Sequence, residues 1–164
     1  MEITFDSVYE RDMDFFLMRK IADDESFLKE FFLKPLNRNY ENSKVSVEKI
    51  SHSVVTKDGE SDIEVILSID GKQVALLIED KIDARAMEEQ YQRYRKRGKE
   101  AVERGDYTDF YVFIVAPEKY LKGNSEAKKY SHTIPYEEIP LANDYENALM
   151  DRALKKIAGG FNIP

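Results

Sequence analysis

Asp62 and, seventeen residues later, Glu79-Asp80-Lys81 set three carboxylates and one ammonium beside two apolar runs. The runs, Ile63–Ile69 and Val74–Ile78, are joined by Asp70-Gly71-Lys72. An Asp-Gly pair between β-branched runs predicts a hairpin. A hairpin lays the start of its first strand beside the end of its second, so Asp62, Glu79 and Lys81 meet at one end of a sheet. Side chains alternate along a strand, which puts Glu79 and Lys81 on one face and Asp80 on the other. Two carboxylates with room for water suit a hard cation such as Mg²⁺ or Mn²⁺. A lysine beside them can orient or deprotonate a water, or neutralise charge developing on a phosphate. The competing reading is an exposed strand end whose charges stay solvated and pair weakly. The trio's place directly after an almost unbroken apolar strand favours chemistry.

The flanking sequence must supply the elements that hold this end in place. Ser7-Val8-Tyr9-Glu10 has the S-x-x-E form of a capping box, which starts a helix there. Glu10, Asp14, Leu17 and Ile21 then share one stripe at helical spacing. Glu10 is either the capping acid or, facing inward, a further acid for the cation site. Asp24 is suited to cap a second helix, Glu25–Leu33, ended by Pro35. Asn37–Ser43 is a polar loop, and Val45–Val55 alternates as a half-buried strand. Asp58-Gly59 marks the next turn. After the hairpin, Asp83 is placed to cap a helix from Arg85 to Arg104, where seven basic residues outnumber four acidic ones. Gln90 and Tyr94 lie four apart on one face of that helix. Arg93, Lys96 and Arg97 share a face and Lys99 turns away, so this stretch offers the best nucleic-acid contacts in the chain. The alternative is a solvated amphipathic helix with Tyr94 in the core.

Asp109–Ala116 is a nearly continuous apolar run, as expected of a strand buried on both faces. It follows a helix, which predicts a crossover and parallel pairing with the Glu79 strand. Tyr120–Lys129 reads as a loop or short helical turn and Tyr130–Pro135 as a weak last strand. Leu141 to Ile157 forms a closing helix, stopped by Gly159-Gly160.

The 164 residues are expected to form one domain, residues 1–164. No run approaches the roughly 20 apolar residues of a membrane span. The start, MEITFDSVYERD, lacks a basic then apolar leader, and there is no cysteine. These features predict a cytoplasmic location and rule out disulfides and thiolate metal sites. His52 and His132, the only histidines, are too few for an imidazole-rich zinc site. A net charge of −7 argues against whole-surface adhesion to nucleic acid, so phosphate binding must be local.

Asp62 followed by Glu79-Asp80-Lys81 resembles the D…(D/E)xK signature of the PD-(D/E)XK nuclease superfamily. Ser61 stands where the superfamily's name has proline. Tyr9-Glu10-Arg11-Asp12 resembles the stretch of the first helix where that superfamily often carries a glutamate. Gln90-Tyr91-Gln92-Arg93-Tyr94 matches its Q-x-x-x-Y pair. The predicted elements match its core order, so the resemblance covers nearly the whole chain. It implies an α/β, restriction-endonuclease-like αβββαβ core with a central mixed sheet flanked by helices. It implies a metal-dependent nuclease acting on nucleic acid, DNA ahead of RNA. Asp62, Glu79, the Asp80 main-chain carbonyl and Glu10 would hold Mg²⁺ or Mn²⁺. Lys81 would activate water, and Gln90 would orient Lys81 or a phosphate oxygen. Arg93, Tyr94, Lys96 and Arg97 would face the nucleic acid. The alternative is a catalytically silent domain of the same fold, serving as a nucleic-acid-binding or assembly module. Target recognition is left open to a homo-oligomer or a partner chain.

Overall fold

The computed structural model describes the chain apart from residues 37, 39, 41, 57, 58 and 159–164. Five strands form one mixed sheet in sequence order: β1 (Val45–Thr56), β2 (Gly59–Ile69), β3 (Lys72–Asp80), β4 (Asp109–Ala116) and β5 (His132–Pro135). β1, β2 and β3 pair antiparallel, whereas β3–β4 and β4–β5 are parallel, as the predicted crossover requires. Asp70 and Gly71 take φ of 51° and 84° at the β2–β3 turn. Glycine reaches that left-handed region without cost and aspartate tolerates it, which explains the pair's hairpin preference.

Every residue of β3 from Val74 to Asp80 is buried. Val74, Leu76 and Ile78 enter the core on one face, packed with α1 (Glu10–Asp23) and the middle of α5 (Asp144–Ala158). Ala75 and Leu77 enter the other, beneath α3 (Gln90–Arg104) and Tyr120 of α4 (Glu118–Gly123). Strand alternation therefore sends Glu79 toward α3 and Asp80 toward α1. α3 lies close to β4 because Gly98 has no side chain: the Phe110 ring fills the space that a Cβ there would take.

Several boundaries differ from the sequence expectation for identifiable reasons. The Ser7 capping box is not used. α1 starts at Glu10, and the Asp12 carboxylate accepts the Tyr9 N–H at 2.8 Å, which leaves Glu10 free for other work. Asp24 does cap, accepting the Phe27 N–H at 3.0 Å. The helix after it is α2 (Glu25–Phe27) running into a π-helical turn, Leu28–Leu33, and a 3₁₀ turn, Lys34–Leu36. That widened turn buries Leu28, Phe32 and Leu33, and Pro35 sits within the last turn rather than ending the helix. Asp83 caps nothing: α3 begins only at Gln90, after Glu89 takes a left-handed φ of 55°. Between Asn124 and His132 the chain forms a 3₁₀ turn, Ala127–Lys129, and β5 is shorter than expected. The expectations at Asp58, Gly159-Gly160 and parts of Asn37–Ser43 fall outside the described residues. No described helix is long and apolar enough to cross a membrane.

Candidate active site

The β2–β3 ladder ends at the pair Ile63–Ile78. Asp62 and Glu79 lie one step beyond it, and the Tyr94 hydroxyl of α3 occupies the opening. It donates to the Glu79 Oε2 at 2.6 Å and accepts the Asp62 N–H at 3.2 Å. The Asp62 Oδ2 in turn accepts the Asp80 N–H at 2.9 Å. The Asp62 and Glu79 carboxyl groups also lie close enough to act on each other, and the Asp62 charge helps to raise the pKa of Glu79. The Lys81 Nζ lies 3.5 Å from the Glu79 Oε1 and 3.4 Å from the Arg85 carbonyl oxygen. Glu10 arrives from α1, where its Oε2 accepts the Ile82 N–H at 2.8 Å. Four of the residues singled out in the sequence, Glu10, Asp62, Glu79 and Lys81, are thus brought within electrostatic reach of one another.

The strand end is largely buried, unlike the exposed end of the competing reading. Glu79 is 3% exposed and Lys81 8%, because α3 and the segment after β3 close over the strand end. Burial holds the carboxyl of Glu79 well above the usual range, and the neighbouring Asp62 charge adds to it. Asp62 and Glu10 are raised as well, again chiefly by burial. Burial works against the Lys81 ammonium, yet Glu79, Glu10 and Asp62 outweigh it and hold its pKa above the ordinary lysine value. The balance is one of crowded acids short of positive charge, which a divalent cation would supply. Among the described residues, no three His, Cys, Asp or Glu side chains stand ready as a metal cage. The donor chemistry still fits a hard cation: paired oxygen donors from Asp62 and Glu79, a third acid nearby, and no soft ligand.

Two of the residues expected to face nucleic acid are buried. Tyr94 is fully buried and committed to the strand ends. Arg97, 6% exposed, donates from Nε to the Ser61 Oγ at 3.2 Å and from an Nη to the Glu60 carbonyl at 2.9 Å. Both side chains are engaged with partners inside the protein. Arg93 and Lys96 are exposed. Gln90 is the first residue of α3 and nearly buried, with an Oε1 that lacks a hydrogen-bond partner.

Three residues of this region lie beyond the site that the sequence marks out. On the opposite face the Asp80 side chain accepts from the Tyr136 hydroxyl and meets Asp14, and Asp14 pairs with the His52 Nε2 at 2.9 Å. Burial, then the Asp14 contact, holds the carboxyl of Asp80 well above its usual range. Asp14 is visible one turn after Glu10 on the α1 stripe. His52 and Tyr136 give no signal, since only the sheet order brings them there. The Asp80 side chain is therefore engaged on the face away from Glu79.

Comparison with known proteins gives one match. The family model of the PD-(D/E)XK nuclease superfamily covers residues 15–150, which include every residue of this site except Glu10 and Asp14. No curated protein matches the chain, and no solved structure does.

Proposed function

The chain belongs to the PD-(D/E)XK nuclease superfamily, and from that membership we propose that it is a Mg²⁺- or Mn²⁺-dependent nuclease hydrolysing phosphodiester bonds of DNA. The observation that carries the proposal is the convergence of Asp62, Glu79 and Lys81 just beyond the last β2–β3 pair. Asp62, Glu79 and the Asp80 carbonyl would hold the ion, with Glu10 completing the set. When bound, the ion supplies a Lewis acid that polarises the scissile phosphate and acidifies a coordinated water. Lys81, held beside Glu79, orients that water and offsets charge gathering on the phosphate oxygens. Gln90 brings an unpaired amide oxygen to the start of α3, able to fix a water. The exposed Arg93 and Lys96 contact backbone phosphates.

A second reading has its own support. Lys81 and Glu79 are nearly sealed, and no three-acid cage is formed among the described residues. These features suit a catalytically silent domain that binds nucleic acid or a partner chain. One experiment separates the two: purified protein with labelled duplex DNA, single-stranded DNA and RNA, with and without Mn²⁺ or Mg²⁺. Metal-dependent cleavage of DNA that disappears in Lys81→Ala supports the nuclease. Binding without cleavage under all conditions supports the silent domain.

A further inference from the structure

We propose that Arg97 is a positioning residue that clamps the end of β2 against α3 and so sets Asp62 opposite Glu79. The idea rests on the metal-site reading above, but its geometry is independent of any ion. The β2–β3 ladder stops at Ile63–Ile78, although Asp62 must be held one step beyond it. β1 still pairs with Ser61 and Glu60 on one edge of β2; on the β3 side, two side chains of α3, one turn apart, take over where the ladder ends. Tyr94 takes the Asp62 N–H. Arg97 takes the two residues before it, donating to the Ser61 Oγ and the Glu60 carbonyl. Its guanidinium carbon also lies 4.2 Å from the centre of the Tyr94 ring. The same cation therefore fixes both the strand end and the tyrosine that bonds Glu79.

The chemistry suits arginine alone. A planar fork reaches two acceptors and stacks on a ring at once, whereas a lysine ammonium is a single compact charge on a flexible stem. Ser61 matters too. It occupies the position where the superfamily's name carries proline, and it is 2% exposed. Proline has no side-chain acceptor, so the serine supplies one of the two oxygens the clamp grips. Arg97 touches neither substrate nor ion in this arrangement; it acts through Asp62 and Tyr94.

The test uses Arg97→Met, Arg97→Lys and Ser61→Ala in the full chain, each checked for folding by circular dichroism. Calorimetric titration with Mn²⁺ should show about tenfold weaker binding for both Arg97 variants, the scale of lost supporting contacts, and a smaller loss for Ser61→Ala. In metal-free protein, the Asp62 amide should exchange faster in the Arg97 variants while the Leu67 amide, deep in β2, stays protected. Combined with Lys81→Ala to prevent cleavage, Arg97→Met should leave DNA affinity and its salt dependence unchanged. Unaltered Mn²⁺ affinity with unaltered Asp62 exchange would overturn the clamp. A flattened salt dependence would overturn it too, making Arg97 a phosphate contact. If wild-type protein binds no Mn²⁺, the metal-site reading fails, and Asp62 exchange alone still decides the clamp. Should Arg97→Met not fold, Arg97→Lys and Ser61→Ala decide the clamp by the same two measurements.

Discussion

Glu79 and Asp80 are neighbours in sequence, both acids, both buried, and each takes a hydrogen bond from a tyrosine hydroxyl. Their surroundings separate them. Toward α3, Glu79 has Lys81 at 3.5 Å, the Asp62 carboxylate beside it, and stands at the open end of a ladder. Toward α1, Asp80 meets Asp14 and Tyr136, with a histidine one contact further away. Burial raises the pKa of both carboxyls. What differs is what lies around each: a cation and a second acid on one side, and on the other an acid, a tyrosine and two buried carboxylate oxygens without a hydrogen-bond partner. The β-strand period alone decides which residue goes where.

The largest effect should come from testing that asymmetry by isosteric amides. Glu79→Gln removes a charge that the proposed ion needs, and turnover should fall at least 10²–10⁴-fold, roughly the usual scale for losing a positioned catalytic group. Asp80→Asn leaves the backbone carbonyl in place and keeps an acceptor for Tyr136. It adds an N–H that Asp14 can accept, so activity should stay within roughly tenfold and stability should hold or rise. Steady-state cleavage and thermal melting of both variants decide it. If Asp80→Asn is as inactive as Glu79→Gln, the two faces do not differ in the way proposed. Alanine is the wrong probe at Glu79, because truncation would also open a cavity and leave the buried Tyr94 hydroxyl without its acceptor, whereas the amide keeps the shape and an oxygen.

Next in size is the lysine. Lys81→Ala should cost turnover on the same scale, about 10²–10⁴-fold, if it manages a proton. Mn²⁺ affinity should hold or tighten slightly, because the variant removes a positive charge beside the ion. A variant that cleaves at the wild-type rate would reduce Lys81 to a counter-ion for crowded acids.

The pH dependence sharpens the comparison further. Glu79, Asp62 and Glu10 have raised pKa values in the fold. A group of this kind contributes stability that is complete below its unfolded pKa, about 4 to 4.5, and lost as pH rises through the folded value. Metal-free protein should therefore melt at lower temperature as pH is raised from that range toward neutrality. Mn²⁺ binding runs the other way, because protons leave the same oxygens, so the gain in melting temperature on adding Mn²⁺ should grow with pH. Glu79→Gln should flatten the metal-free slope. A Mn²⁺ effect that does not change with pH would place the ion elsewhere.

How much of this is legible in the sequence follows from which forces are local. The hairpin can be read because Asp70-Gly71 and the apolar runs encode it within a few residues, and parallel β3–β4 pairing follows from the length of the connection. Asp62, Glu79 and Lys81 come together for the same reason. The depth of their burial is not legible. It depends on α3 crossing close over the sheet, which rests on Gly98 meeting the Phe110 ring of the next strand, a contact that no local pattern encodes. Arg97 reads as one more basic residue of a solvated helix because its acceptors, Glu60 and Ser61, lie far back in sequence. Glu10 fits a local capping pattern, yet Asp12 satisfies the cap instead. Local rules set the ladder and the turn; the long-range contacts settle which polar residues are spent on structure.

The smallest effect concerns the surface that remains for substrate. Of the basic residues on α3 expected to share a face, Arg97 is withdrawn into the protein, while Arg93 and Lys96 stay exposed. If that face follows a phosphate backbone, Arg93→Gln with Lys96→Gln in a Lys81→Ala background should weaken DNA binding. It should also flatten the dependence of log K on log salt by about one unit per lost contact. Sequence preference should not move, because phosphate contacts carry no base information. Mn²⁺ affinity should not move either, since neither residue belongs to the acid cluster. Lys72→Gln serves as the control: it is exposed at the turn end of β3, opposite the end that carries Glu79, and should change little. Equal affinity and equal slope in the double variant would remove α3 from the binding surface and leave it the task its buried side already performs, holding the strand ends that carry Asp62 and Glu79.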